Sequence, residues 1–489
     1  MNNSELKSKA ISGVVWKFGE RILAQLVTFV VSLVIARILL PEDYGIIAII
    51  SVFINVLNVF VTSGYGMALI QKKDSDDKDF NAMFTFSGGL SVVLYVVLFF
   101  LAPVIADFYG YDILVPVIRV MGLRLPVAAF NSIQQAYVAK RLEFRKFFWA
   151  TLGGTLASAI VGVSMAVGGL GVWALVGQYM TNTLIDTIIL FIMFDWRYKP
   201  YYSHKRVMPM VKFGSKILFA TFIDSLYMEV RTLIIGKRYN VNDLAFYNRG
   251  EQFPKLIALN ISTAIDGTLL PVYSKLQDDI DRLKSAVKRC NQLSSYVIFP
   301  MMIGMAVVAE PMIRFILTDK WIAAVPFVQI YCISYCFNVF QMSSTQVIKA
   351  RGKSGLYLKL EIIKKLLLTI ALICSFNFGV MAIAFTAIII NFISMVINFV
   401  LIKKLLKYGI WQQIRDILPQ TVVSLVMGAA VFGIGLAITN PLMSLAVQVS
   451  SGCLIYVLLS HIFKLSVYLY ILNIIKDKLK LFKSKNRRF

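Results

Sequence analysis

Lys17-Phe-Gly-Glu-Arg-Ile-Leu-Ala24 opens a long apolar run that ends in the polar corner Leu40-Pro-Glu-Asp-Tyr-Gly45. The same phrase returns as Lys212-Phe-Gly-Ser-Lys-Ile-Leu-Phe219, again leading through an apolar helix to a polar corner, Asn242-Asp243, and a second helix. Lys17, Phe18, Gly19, Ile22 and Leu23 recur as Lys212, Phe213, Gly214, Ile217 and Leu218, and Arg21 is answered by Lys216. An echo about 195 residues apart is far longer than a solenoid period. It predicts two lobes built on one plan, the second opening near Met210.

Working outward, the chain has 489 residues, 58% hydrophobic and 16% charged, and a mean hydropathy of +0.73. Soluble domains average about 45–50% apolar and about 25% charged residues. Successive apolar runs of about 18 residues or more are transmembrane helices, because backbone in lipid must satisfy its own hydrogen bonds. The first run is too long for a signal-peptide core and has no small-residue cleavage site, so it is expected to stay as the first span.

Fourteen spans are read, at 13–39, 44–70, 82–106, 112–138, 147–168, 171–194, 212–237, 245–271, 290–311, 321–347, 356–376, 378–402, 416–438 and 442–464. The expected division is an N-lobe over 1–200, a C-lobe over 201–408, two further helices over 409–465 and a basic cytoplasmic tail over 466–489. Even-numbered connections carry most of the Lys and Arg, such as Lys140, Arg141, Arg145 and Lys146, or Lys275, Arg282, Lys284, Lys288 and Arg289. The odd connections around Gly110, Gly169, Phe378 and Asn440 carry none. This alternation places both ends in the cytoplasm. It also accounts for the net charge of +24 without nucleic acid. The odd loops are too short to house a folded catalytic domain, there is no nucleotide-binding motif, and five scattered cysteines and two histidines offer no metal spacing. No cofactor and no enzymatic activity are expected.

The informative residues are charges inside spans, where each costs about 2.5–3.5 kcal/mol on the translocon scale and implies a cavity or a partner. They concentrate in the first, fourth, seventh, eighth and eleventh helices. Arg124 and Asp224 fall near mid-membrane. Arg119 and Arg231 lie nearer the outer face, and Glu20, Arg21 and Lys216 nearer the inner one. Arg249 and Lys255 follow on the eighth span, with Glu251 and Asp266, and Glu361, Lys364 and Lys365 occupy the eleventh. Pro126, two residues after Arg124, is expected to kink that helix. Arginines beside such a break suit a bound anion, with Arg124, Arg119, Arg231, Arg21, Lys216, Lys255 and Arg249 as ligand candidates. Asp224, Glu229 and Glu20 are the candidate carriers of a coupling proton or cation. For each, the alternative is an internal ion pair, Glu361 with Lys365 at four-residue spacing being the plainest. Gly154, Ser158, Gly162 and Ala166 form a small-residue ladder that predicts close helix packing.

The opening helix, the corner Ala36-Arg-Ile-Leu-Leu-Pro-Glu-Asp-Tyr-Gly45, the phrase Gly64-Tyr-Gly-Met-Ala-Leu-Ile-Gln71 and Asn242-Asp-Leu-Ala-Phe-Tyr-Asn-Arg-Gly250 resemble bacterial polysaccharide and lipopolysaccharide flippases. These belong to the multidrug/oligosaccharidyl-lipid/polysaccharide exporter superfamily. The resemblance implies an all-α polytopic protein with fourteen helices: two six-helix lobes, pseudo-symmetric around a central cavity, plus two C-terminal helices. It implies a multi-pass protein of the bacterial cytoplasmic membrane that exports an undecaprenyl-diphosphate-linked oligosaccharide by alternating access. A proton or sodium ion would be its coupling partner, and polymerases and glycosyltransferases its pathway partners. A drug antiporter of the same superfamily and a lipid II-type flippase are the alternatives. A cationic drug calls for acids in the site, whereas Arg and Lys predominate here.

Overall fold

A computed structural model describes residues 3–473 except 142 and 195, together with residue 476. The side chains of residues 3–15, 17, 18, 20, 144, 264–267 and 354 are not described, which leaves out those of Glu20 and Asp266. The expected basic tail falls largely outside the described residues.

Seventeen α-helices and one 3-10 helix make up the regular structure among the described residues. They are α1 (Asn3–Ile38), α2 (Pro41–Thr62), α3 (Tyr65–Gln71), α4 (Asp77–Tyr109), α5 (Leu114–Gly122), α6 (Arg124–Arg141), α7 (Phe144–Val167), α8 (Val172–Met193) and α9 (His204–Arg238). There follow α10 (Val241–Lys275), α11 (Ile280–Val307), α12 (Ala309–Leu317), a 3-10 turn (Asp319–Ala324), α13 (Val325–Ala350), α14 (Ser354–Ser375), α15 (Val380–Leu406), α16 (Ile410–Leu436) and α17 (Pro441–Ile462). Among the described residues twelve helical stretches are long and apolar enough to cross a membrane, and the chain is a multi-pass membrane protein. α9 and α14 are not among the twelve because charges interrupt them: Lys212, Lys216, Asp224, Glu229 and Arg231 on one, Lys359, Glu361, Lys364 and Lys365 on the other. The outer face of α4 shows the lipid-facing pattern directly, with Val92, Val96, Phe100 and Val104 exposed at four-residue spacing. Water would not tolerate so continuous an apolar stripe.

The corners follow from local chemistry. Pro41 takes the first position of α2, where its missing N–H is not needed, and the Asp43 carboxylate accepts from the Leu40 N–H at 3.1 Å. At the echoed corner the Asn240 side chain accepts from the Asp243 N–H at 2.7 Å. The second expected span is broken at Gly64, whose φ of +92° only glycine adopts readily.

The chain forms two compact units, Met1–Ala245 and Phe246–Phe489. In the first, the small-residue ladder of α7 is squeezed between neighbours as expected. A Cβ on Gly154 would lie 2.9 Å from the Asn182 carbonyl oxygen of α8, and one on Gly162 would lie 2.9 Å from Gln178 Cβ and 3.0 Å from Ile35 of α1. α9, which the echo assigns to the second half of the sequence, packs in this unit against α2, α3 and α4. Backbone meets backbone there at Gly64 and Gly214, and Phe60 packs edge-on to Phe222 at 5.0 Å. In the second unit α11 is central, packed by α13 and α16 over Phe299, Phe340 and Phe399.

An ionic cluster ties the start of α9 to the start of α4. Asp79, fully buried, meets Lys72 at 2.6 Å and Arg206 at 3.0 Å, and Arg206 also reaches Asp76 at 2.6 Å. Burial pushes the Asp76 carboxyl up, but the Asp79 backbone N–H and the Arg206 guanidinium outweigh it and hold the group below its ordinary range. The D79A variant is expected to lose about 1–3 kcal/mol, because two cations and a capping N–H lose their shared acceptor. Thermal melting of the purified protein reads this directly, and an unchanged midpoint would show the cluster to be ornamental.

Candidate functional site

The fourth expected span is two helices. Pro126 has no N–H to offer the Gly122 carbonyl and its ring crowds that turn. The chain closes instead with a tighter bond, Leu123 N–H to Val120 O at 3.1 Å, and restarts as α6 at Arg124. Arg124 therefore sits at a helix break, half-buried, and turns toward α8. Its Nε donates to Thr183 Oγ1 at 3.2 Å and its guanidinium lies 5.3 Å from the Tyr179 ring centroid. Tyr179 and Thr183 share a face of α8 because they are four residues apart. Among the described residues no carboxylate pairs with Arg124, and its two Nη groups make no hydrogen bond to protein.

One turn further along α8, and two along α6, the polar seam continues. Asn131 Nδ2 donates to Asp186 Oδ2 at 2.8 Å and to Thr187 Oγ1 at 3.2 Å, while Gln135 Nε2 donates to Asn131 Oδ1 at 2.6 Å. A guanidinium with an open fork thus stands at one end of a seam of neutral donors and one acid. Such an array can take a doubly charged oxyanion by bidentate contact.

The structure separates the other predicted residues. Arg119 stacks on Phe99 of α4 at 4.2 Å with its Nε buried and unbonded, so the two arginines of the fourth span go to different helices. Arg231 is half-buried on α9, while Arg21, Lys216 and Asp224 are exposed. Glu229 accepts from the Asn55 amide of α2 at 3.1 Å. In the second unit Arg249 is 5% exposed, bonds Gln252 at 2.6 Å and lies over Trp321. Lys255 pairs with Glu251 at 3.3 Å, and Glu251 also accepts from the Tyr335 hydroxyl at 3.2 Å. Glu361 bridges to Lys364 at 3.2 Å, three residues away. Asn131, Gln135, Tyr179, Thr183 and Asp186 are not among the residues expected from the sequence. The available signal was polar residues at four-residue spacing inside two otherwise apolar helices. Among the described residues no cluster of potential metal ligands occurs, and all five cysteines are free.

The chain is thus a multi-pass membrane protein with a cation set in a polar seam between two of its helices, and comparison with known proteins gives its family. The family described as polysaccharide biosynthesis protein matches residues 34–326, and the chain belongs to that family. The lipopolysaccharide biosynthesis protein WzxC of Escherichia coli K12 is 22% identical over 440 residues, covering 88% of this chain and 89% of its own. Among solved structures, the lipid II flippase MurJ in an inward closed conformation matches with a TM-score of 0.72 at 15% identity, covering 93% of this chain and 98% of that one. An inward-facing multidrug MATE transporter of the MOP superfamily matches with a TM-score of 0.61 at 14% identity, over 78% of this chain and 94% of that one. The fold is the one MurJ and MATE transporters share.

Proposed function

We propose that the protein is a flippase of the bacterial cytoplasmic membrane. It would carry a polyprenyl-diphosphate-linked oligosaccharide from the inner to the outer leaflet by alternating access. In this reading α9 and α14 also cross, giving fourteen spans with both termini in the cytoplasm. The family assignment supports the substrate class, since the similar protein WzxC is named for lipopolysaccharide biosynthesis and the fold is that of a lipid flippase.

The observation that carries the proposal is the state of Arg124. Desolvating an ionised phosphate costs tens of kcal/mol on a Born estimate, so a path through hydrocarbon must replace water with fixed donors. Arg124 is oriented by Thr183 and Tyr179, neutralised by no described acid, and keeps both Nη donors. A cationic drug would be repelled there. The test is a proteoliposome assay with a fluorescent polyprenyl-diphosphate oligosaccharide in one leaflet. Protein-dependent translocation is expected, with accumulation of lipid-linked oligosaccharide on the cytoplasmic face of a deletion strain. Translocation no faster than in empty vesicles would end the reading.

Coupling is assigned to Glu229. It accepts a bond from a neutral amide and pairs with no cation among the described residues, so protonation breaks no ion pair. A membrane potential supplies about 2.3 kcal/mol per charge per 100 mV. The E229Q variant is expected to translocate at a basal rate that no longer responds to an imposed proton gradient. An undiminished response would assign the coupling elsewhere.

A further inference from the structure

The second unit contains a groove of about 880 Å³ between α10 and α11, a volume typical of ligand sites. Its chemistry is graded along one helix face. On α11 the lining runs Arg282, Ser285, Arg289, Leu293, Val297, each three or four residues after the last, so all share one stripe. Opposite, Val272, Leu269 and Ile261 of α10, with Leu276 just past its end, form an apolar wall. From Arg282 to Val297 the stripe rises roughly 22 Å at 1.5 Å per residue. That is half of a bilayer about 40–45 Å thick with its headgroups. The groove is charged at one end, apolar at the other, and one leaflet deep.

The rim is not uniformly positive. Asp281 shares it, and Arg282 is bridged to Asp279 at 3.1 Å. Arg289 is different: it lies 4.9 Å from the Tyr470 ring and pairs with no carboxylate among the described residues. Lys275 and Lys284 flank the same helix ends.

We propose that this groove holds one anionic phospholipid of the cytoplasmic leaflet, its phosphate on Arg289 and Arg282 and one acyl chain along Leu276, Val272, Leu293 and Val297. The inference rests on the orientation read from loop charge, which puts the α10–α11 connection at the cytoplasmic headgroups. A phospholipid, not the transported molecule, is the occupant because the depth matches a single acyl chain, whereas an undecaprenyl chain would outrun it.

The test is native mass spectrometry of the full-length protein extracted from vesicles of equal phosphatidylglycerol and phosphatidylcholine. Wild type is expected to retain phosphatidylglycerol in preference. R289E should lose that preference about 25-fold, since each unit of charge contributes about a factor of five at an anionic surface and the reversal changes two. L293W, which fills the groove and leaves the charges alone, should lose bound lipid of both kinds, and melting curves establish that both variants are folded. Equal retention of the two lipids by wild type would overturn the proposal. So would displacement of phosphatidylglycerol by inorganic phosphate, the mark of a simple anion site, or by the lipid-linked oligosaccharide, the mark of a substrate site. The readout involves no transport, so its failure and failure of the flippase reading are distinguishable.

Discussion

Reversing the charge in R124E is expected to reduce translocation in proteoliposomes to the level of empty vesicles while leaving a folded, membrane-inserted protein. A bidentate guanidinium–phosphate contact contributes about 3 kcal/mol, so its loss alone slows transport about a hundredfold when the contact is made in the rate-limiting state. A carboxylate in its place adds repulsion to that loss. Folding should survive, because Arg124 has no described carboxylate partner whose charge would be stranded, and Thr183 keeps its own bond to the Tyr179 carbonyl at 3.1 Å. R124K retains the charge but not the planar fork and should fall between wild type and R124E. T183A, which removes only the group orienting Nε, should cost a few-fold. Full transport by folded R124E would falsify the assignment of the site.

The second large effect is structural. G64A is expected to lower the apparent melting midpoint by roughly 5 °C or more, and G214A to do so nearly as strongly, the scale for about 2–3 kcal/mol in a unit of this size. At Gly64 two penalties combine. The φ of +92° is strained for any residue with a Cβ, and the added atom would run into the Gly214 backbone. At Gly214 a Cβ would meet the Gly64 carbonyl carbon and oxygen at 3.1 Å. Because α3 and α9 touch here through backbone rather than flexible side chains, neither can yield cheaply. A G64A protein that melts with wild type would mean that this crossing opens in the resting state. By contrast G19A, at the echoed position in α1, should be neutral, since nothing described lies within 4 Å of its Cβ.

That contrast shows where sequence stops being enough. Gly19 and Gly214 stand in the same phrase, yet only one lies at a helix crossing. The repeat was legible because it is local and long. Its contacts were not, because they depend on which surfaces meet. Arg124 illustrates the same division. An arginine about twelve residues into an apolar run, with proline two residues on, announces a buried charge at a helix irregularity, and hydropathy alone finds it. That it turns to Thr183 and Tyr179, while Arg119 turns to Phe99, is set by the rotation of α5 and α6 after the break at Leu123. The sequence shows the proline but not the angle. Lys255 and Arg249 stood on the same list of candidates, and the structure commits one to Glu251 and surrounds the other with Gln252 and Trp321.

By itself, then, the amino-acid order determined the membrane setting, the helical class, the corners at Pro41 and Asn242, the close packing of α7 and which spans carry charge. All of these follow from periodicity, length and the cost of polar groups in lipid, which are properties of neighbours along the chain. Only the tertiary structure decided which cation keeps an open fork, which acid is held by an amide rather than an ion pair, and that α9 packs on α2 and α3. Those outcomes rest on contacts between residues 59 to 174 positions apart, where small changes in helix rotation exchange one partner for another at nearly equal hydropathy.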